Sequence, residues 1–219
     1  IIVKSTVALQ AAARCVGDWL EHWARQTPAK VFLGERAKVD APWTTVTYSD
    51  ALRQVRSAAS WILAQGLSAQ RPLVILSDNS VDHALFALAA MHAGVPAAAI
   101  SPAYSLMSRD FDKLKSMVGL LDPGAIYVSG TKPFAAALAA IKPLHTAVIV
   151  TGETDGGDAV PFRQVAATSE SAAVAKAFAA VGPDTIAKFL FTSGSTGIPK
   201  AVINTQRMLT SSQQAKAQT

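Results

Sequence analysis

A chain of 219 residues that is 50% hydrophobic and 16% charged, with a mean hydropathy of +0.27, holds enough apolar material for a filled core, which excludes intrinsic disorder. Its formal charge of +5 and pI near 9.5 come from dispersed lysines and arginines, so a nucleic-acid or lipid patch is excluded as well. The longest apolar runs, such as Ala84 to Met91, fall far short of the roughly 18 residues needed to span a bilayer, so no membrane segment is expected.

Cys15, the one cysteine, leaves no internal disulfide framework and reads as a buried structural thiol in a reducing, cytoplasmic compartment. His22, His83, His92 and His145 are scattered without zinc spacing, and no protein-liganded metal is expected. The opening residues begin without Met and lack an apolar stretch behind a basic cluster, which reads as a trimmed terminus and not a secretory signal. Length alone allows one large domain or two small ones.

In chain order, "SDALRQVRSAASWILAQG" places Leu52, Val55, Ala59 and Ile62 on one helical face, with Ser49 as cap and Gly66 as stop. "RPLVILSDNS" is a short branched run closed by turn formers, a buried strand. "SVDHALFALAAMHAG" is a second helix between a Ser80 cap and a Gly94 stop. Asp78 and Asp82 stand at its start, where carboxylates favour the helix dipole. His83 and His92, near its ends, read as surface or capping residues.

The alternation continues with "VPAAAI" as strand, "SRDFDKLKSMV" as helix, "AIYVSG" as strand, "FAAALAAI" as helix and "TAVIV" as strand. Such a βαβ series predicts an α/β fold with a largely parallel sheet covered by helices. "TGETDGGD", from Thr151 to Asp158, is an exposed loop and marks a boundary between sheet layers or subdomains near 151–160. "SESAAVAKAFAAVG" follows as a helix capped by Ser169, and "DTIAKFLFTSGST" sets a strand before a Gly/Ser/Thr loop. Trp19, Trp23, Trp43 and Trp61 read as packing residues, and Tyr104 as a packed residue that could border a cleft. "RMLTSSQQAKAQT" starts as a helix and stops, so a longer parent protein is expected.

The loop carries the chemistry. Gly194 and Gly197 allow backbone N–H groups to converge, Thr192, Ser193, Ser195 and Thr196 add hydroxyl donors, and Lys200 adds a cation. A polyphosphate needs that set, because its oxygens accept many hydrogen bonds and concentrate negative charge. Pro199 has no N–H to offer and fixes the backbone that aims Lys200. The bland alternative is a flexible turn. The spacing is not that of a Walker A loop, whose glycines open a helix; here "AVINT" follows, which is β-like. No helix N-terminus is expected to assist the phosphate.

"TSGSTGIPK" resembles the phosphate-binding signature of the adenylate-forming superfamily of acyl- and aryl-CoA synthetases, firefly-type luciferases and peptide-synthetase adenylation domains. Every position but Ile198 matches. The resemblance extends over nearly the whole chain, through "CVGDWLEHWARQTP", "YSDALRQVRSAASWILAQGL" and "SDNSVDHALFALAAMHAGVPAAAISPAYS". The wording around "SPAYSLMSRDF" and "PKAVINTQRM" is most similar to feruloyl-CoA synthetases, bacterial enzymes that activate hydroxycinnamic acids. One departure stands out: where the superfamily has Gly after the lysine and then a histidine, this chain has Ala201 and Gln206. Roles tied to that histidine are not carried over.

The resemblance implies that residues 1–219 form the first part of the large N-terminal domain. It implies a parent acid–thiol ligase that uses ATP, Mg and CoA: a carboxylate attacks the α-phosphorus of ATP, pyrophosphate leaves, and CoA displaces AMP. It places Thr192, Ser193, Gly194, Ser195, Thr196, Gly197 and Lys200 on the ATP phosphates, with Thr196 nearest the Mg that arrives with the nucleotide. The adenine, ribose and acid contacts and the catalytic lysine of the family would lie beyond Thr219, so no catalytic residue is expected in the chain and it should be inactive alone. Expected partners are small molecules, namely ATP, an aromatic carboxylic acid and CoA. The rival readings are a fatty-acyl synthetase, a peptide-synthetase adenylation domain, and a non-catalytic binding module that retains the loop.

Overall fold

The computed structural model describes residues 7–153, 157–192, 197 and 199–218. Helix α1 (Val16–Gln26) leads into a two-stranded antiparallel ribbon of β1 (Val31–Glu35) and β2 (Thr44–Thr47). There follow α2 (Tyr48–Ala64), β3 (Leu73–Ile75), α3 (Val81–His92), β4 (Ala97–Ala99), the short α4 (Ala103–Leu106), α5 (Asp112–Leu121), β5 (Ala125–Val128), α6 (Thr131–Ile141) and β6 (Val148–Thr151). The chain continues through β7 (Val160–Pro161), α7 (Phe162–Val165), α8 (Ala172–Ala180), β8 (Ile186–Thr192), β9 (Lys200–Thr205) and α9 (Gln206–Ala217).

Seven strands form one sheet in the order β7-β6-β5-β3-β4-β8-β9, parallel except for the final β8–β9 pair. This is the α/β architecture expected from the alternation of apolar runs. The central β3 is buried at all three positions because helices cover both of its faces. One face packs Val55, Ile62, Leu85, Phe86 and Ala89 from α2 and α3 against Leu73, Ile75 and Tyr127. The other packs Leu114, Met117 and Val118 of α5 and Phe134 of α6 against Val74, Leu76, Ile126 and Val128. Each fully buried Leu, Ile or Phe contributes roughly 1.5–3 kcal/mol, which is why two modest clusters suffice to fix the helices on the sheet.

The helix ends show which local signals acted. Ser80 Oγ accepts the His83 N–H at 3.1 Å at the start of α3, and Gly94, at φ 74°, follows its last turn, as the sequence suggests. At α2 the cap is Thr47, whose Oγ1 accepts the Asp50 N–H at 3.2 Å, and Ser49 is already inside the helix. Two hydroxyls stand within reach of that helix start, and β2 delivers Thr47 in the extended conformation a cap requires. Helix α8 begins after Ser171, not Ser169.

Helix α5 starts at Asp112 and not in "SRD". Ser108 Oγ accepts the Phe111 N–H at 3.1 Å and Asp110 accepts the Asp112 N–H at 3.2 Å, so side chains there compete with helical bonding. Phe111 is forced into the left-handed region at φ 58°. The β1–β2 ribbon was not apparent in the sequence, since its strands are half exposed and carry no long apolar run. Two tryptophans also differ from expectation: Trp23 is 43% and Trp43 60% exposed. Trp43 instead lies under the Arg36 guanidinium, 5.0 Å from its ring. No helix among the described residues is long and apolar enough to cross a membrane.

Candidate functional site

Strand β8 alternates toward the core, with Phe189 and Phe191 packed on the α5–α6 side and Leu190 and Thr192 exposed. It pairs with β9 through Thr192↔Lys200, so the hydroxyl and the ammonium stem leave directly opposite positions at the mouth of the hairpin. Both residues are exposed, whereas Pro199 is buried. Gly197, at φ 80°, occupies a conformation that side-chain-bearing residues rarely adopt. After Gly197 the chain enters β9 (Lys200–Thr205), and α9 begins only at Gln206. Ser193, Gly194, Ser195 and Thr196 lie outside the described residues.

The base of the hairpin is tied down. Gln206 N–H donates to Thr185 O at 2.9 Å, Arg207 N–H donates to Pro183 O at 2.7 Å, and Arg207 forms a two-pronged contact with Asp184 at 3.1 and 3.0 Å. Gln206 is 1% exposed; its Oε1 accepts the Val16 N–H at 3.0 Å while its Nε2 has no partner. The residue standing near the superfamily's histidine therefore joins α9 to the first turn of α1. The departure is visible in the sequence but this role is not, because the two residues stand 190 positions apart.

Tyr104 packs against the α5–α6 core, and Cys15 is buried, with burial raising its thiol above the usual range. His83 stays near the α3 start, its Nδ1 3.1 Å from Asp78 O and 3.4 Å from Ser77 Oγ. His92 is not a surface residue: it is 2% exposed and stacks on Phe178 with ring centroids 3.9 Å apart and planes at 2°. Its Nδ1 lacks a hydrogen-bond partner, and burial lowers its pKa to about 4 against the opposing pull of Glu21. Asp82 is also more than a dipole partner. Burial, then the charge of Glu35, raises its pKa to about 6, while the Glu35 carboxylate accepts the Val81 N–H at 2.8 Å.

Among the described residues no three His, Cys, Asp or Glu side chains gather to hold a metal. Thr192 and Lys200 suit phosphate oxygens, offering one hydroxyl donor and one cation from adjacent strands. An apolar cavity of about 450 Å³ lies elsewhere, walled by Trp19, Trp23, Phe32, Tyr48 and the last turns of α9, and it shares no residue with the hairpin.

Comparison with known proteins bears on the family and the fold. A family described as AMP-binding enzyme matches residues 20–219. The chain is 30% identical over 169 residues to the probable CoA ligase CCL9 of Humulus lupulus, covering 77% of this chain and 31% of that protein. It is 24% identical over 201 residues to a salicylyl-CoA synthase / salicylate adenylyltransferase of Streptomyces sp, covering 88% of this chain and 34% of the relative. In fold it resembles the acetoacetyl-CoA synthetase of Streptomyces lividans with a TM-score of 0.77 at 16% identity, over 93% of this chain and 32% of that one. The chain thus spans about a third of the length of these relatives. With a Gly/Ser/Thr hairpin at the end of a parallel sheet and a match over nearly its whole length, the chain belongs to the AMP-binding enzyme family.

Proposed function

We propose that the chain is the N-terminal piece of an ATP-dependent aryl-CoA synthetase of the feruloyl type, and that its β8–β9 hairpin grips the phosphates of ATP. The observation that carries the reading is the pairing of Thr192 with Lys200 at the hairpin mouth, with Gly197 at positive φ between them. Thr192, Ser193, Gly194, Ser195, Thr196, Gly197 and Lys200 are the proposed phosphate contacts. A magnesium ion would arrive with the nucleotide, held largely by phosphate oxygens as is usual for this ion, with Thr196 nearest.

What this part of the protein contributes is position and charge. Hydroxyl and amide donors hold the β- and γ-phosphates, while Lys200 disperses the charge that grows on the departing pyrophosphate. ATP supplies the activated phosphorus that a carboxylate attacks, and CoA would take the acyl group afterwards. The hairpin accounts for the phosphates alone; contacts to adenine, ribose and the acid are not assigned to residues 1–219. The aryl assignment draws support from the salicylate named for one relative and from the "PKAVINTQRM" wording.

Activity of the full-length protein on ferulate, coumarate, benzoate and fatty acids tests the proposal. Thioester formation with hydroxycinnamates above all others is the expected result. Preference for a long-chain fatty acid would replace the aryl reading with the fatty-acyl one, and turnover of none would favour a binding module.

A further inference from the structure

The strand registers determine which side chains stand abreast at the carboxyl ends of β3, β4 and β8. Ile75 lies opposite Ala99, Ala97 opposite Lys188, and Thr192 opposite Lys200. Extended two residues past the ends of β3 and β4, and four past the Ala97↔Lys188 pair, these registers would bring Ser77, Ser101, Thr192 and Lys200 level with one another. Residues level with one another point to the same face of a sheet. Burial identifies that face: Ile75 and Ala97 belong to the core under α2 and α3, whereas Leu76, Ala98 and Ile100 belong to the opposite one.

Within the row, Ser77 is buried beside His83, but Ser101, Thr192 and Lys200 are exposed. The next row back, Ala99, Leu190 and Val202, is exposed too, so no helix among the described residues covers this corner. Strands β4 and β8 pair at Ala97↔Lys188, and β8 then runs on to Thr192 beside β9. The carboxyl ends of β4 and β8 are therefore neighbours on this exposed face, beside the hairpin mouth.

We propose that Ser101 is a further phosphate-binding residue, its hydroxyl donating from the end of β4 to the phosphate that Thr192 and Lys200 meet from β8 and β9. Ser101 Oγ accepts the Ala103 N–H at 3.4 Å, which leaves its own proton to donate. The spacing suits a phosphate. Neighbouring strands lie about 4.8 Å apart, and two O–H···O bonds of about 2.7 Å on either side of one oxygen span roughly 5 Å. The inference rests on the phosphate reading of the hairpin and extends it from one loop to a second strand.

The test is a titration of the ¹⁵N-labelled 219-residue chain with magnesium pyrophosphate, followed amide by amide. The amides of Ser101 and Ala103 are expected to shift on the same binding curve as Thr192, Gly197 and Lys200. Ser101→Ala should weaken binding about ten- to a hundredfold, the loss of one hydrogen bond to a charged group, with its other resonances unmoved. Ser101→Thr, which keeps the hydroxyl, should bind within about twofold of the parent on the same grounds. Shifts at Thr192, Gly197 and Lys200 with none at Ser101 or Ala103, and unchanged affinity of Ser101→Ala, would overturn the inference and leave the hairpin reading standing. No shift at any of the five would overturn the hairpin reading, and this inference with it.

Discussion

Replacing His92 by Phe should change how stability responds to acid, because the folded chain holds this imidazole neutral where the unfolded chain would charge it. Its folded pKa of about 4 lies below its ordinary 6.5. As pH falls, the unfolded state takes up the proton first, so the stability present above about pH 6.5 is lost progressively toward pH 4. By linkage that loss reaches about 3 kcal/mol at pH 4. Asp82 acts in the opposite sense. Its folded pKa of about 6 stands above the ordinary 3.8, so its ionisation destabilises the fold fully above about pH 6. That penalty fades as pH falls toward 3.8, returning roughly 2–3 kcal/mol.

The two groups nearly cancel between pH 6 and pH 4 in the parent chain. His92→Phe keeps a ring against Phe178 and removes one side of the balance. Urea unfolding at pH 7, 6, 5 and 4 reads the difference between variant and parent, in which all other carboxylates drop out. The variant should gain about 3 kcal/mol on the parent between pH 7 and pH 4. A difference that stays constant across that range would refute a neutral, buried His92.

The same curves with Asp82→Asn should show an advantage over the parent of roughly 2–3 kcal/mol at pH 7 that shrinks to under about 1 kcal/mol at pH 4. Gly17→Ala places a Cβ 2.5 Å from Phe178 Cε2 and 3.3 Å from His92 Nδ1; a loss of about 1–3 kcal/mol is expected from overpacking, visible as a lower thermal midpoint. Thr47→Ala should destabilise by about 1 kcal/mol, the usual worth of a cap, and Ser49→Ala by clearly less. Equal effects of the two would return the α2 cap to Ser49.

The elements most legible in the sequence were those whose local and tertiary preferences agree. Leu73 to Ile75 is a strand by branching and by burial on both faces, and α3 carries both of its end signals, Ser80 and Gly94, in sequence. The hairpin was legible for a similar reason: Val202, Ile203 and Thr205 favour a strand after the glycines, and β9 is the strand that follows. Legibility failed where long-range contacts decide. His92 sits at the end of a helix, a position that reads as exposed, yet Phe178 of α8 closes over it from a distant part of the chain. The buried Gln206 accepts a hydrogen bond from the distant Val16 N–H, and the β1–β2 ribbon owes its place to α2 and α3 more than to its own weak alternation. Among the proposed phosphate contacts, composition marked the loop hydroxyls, whereas Ser101 emerges only from the parallel register of β3, β4 and β8.

In the proposed function the hairpin is the phosphate grip of an acid-activating enzyme. Carboxylate-dependent exchange of labelled pyrophosphate into ATP by the full-length protein, with and without Lys200→Ala, tests it most directly. Lys200 is exposed in β9, so the substitution should leave folding within about 0.5 kcal/mol while exchange with ferulate falls at least tenfold, as expected when a charge-stabilising contact to the leaving group is removed. Undiminished exchange in a folded Lys200→Ala protein would contradict the claim.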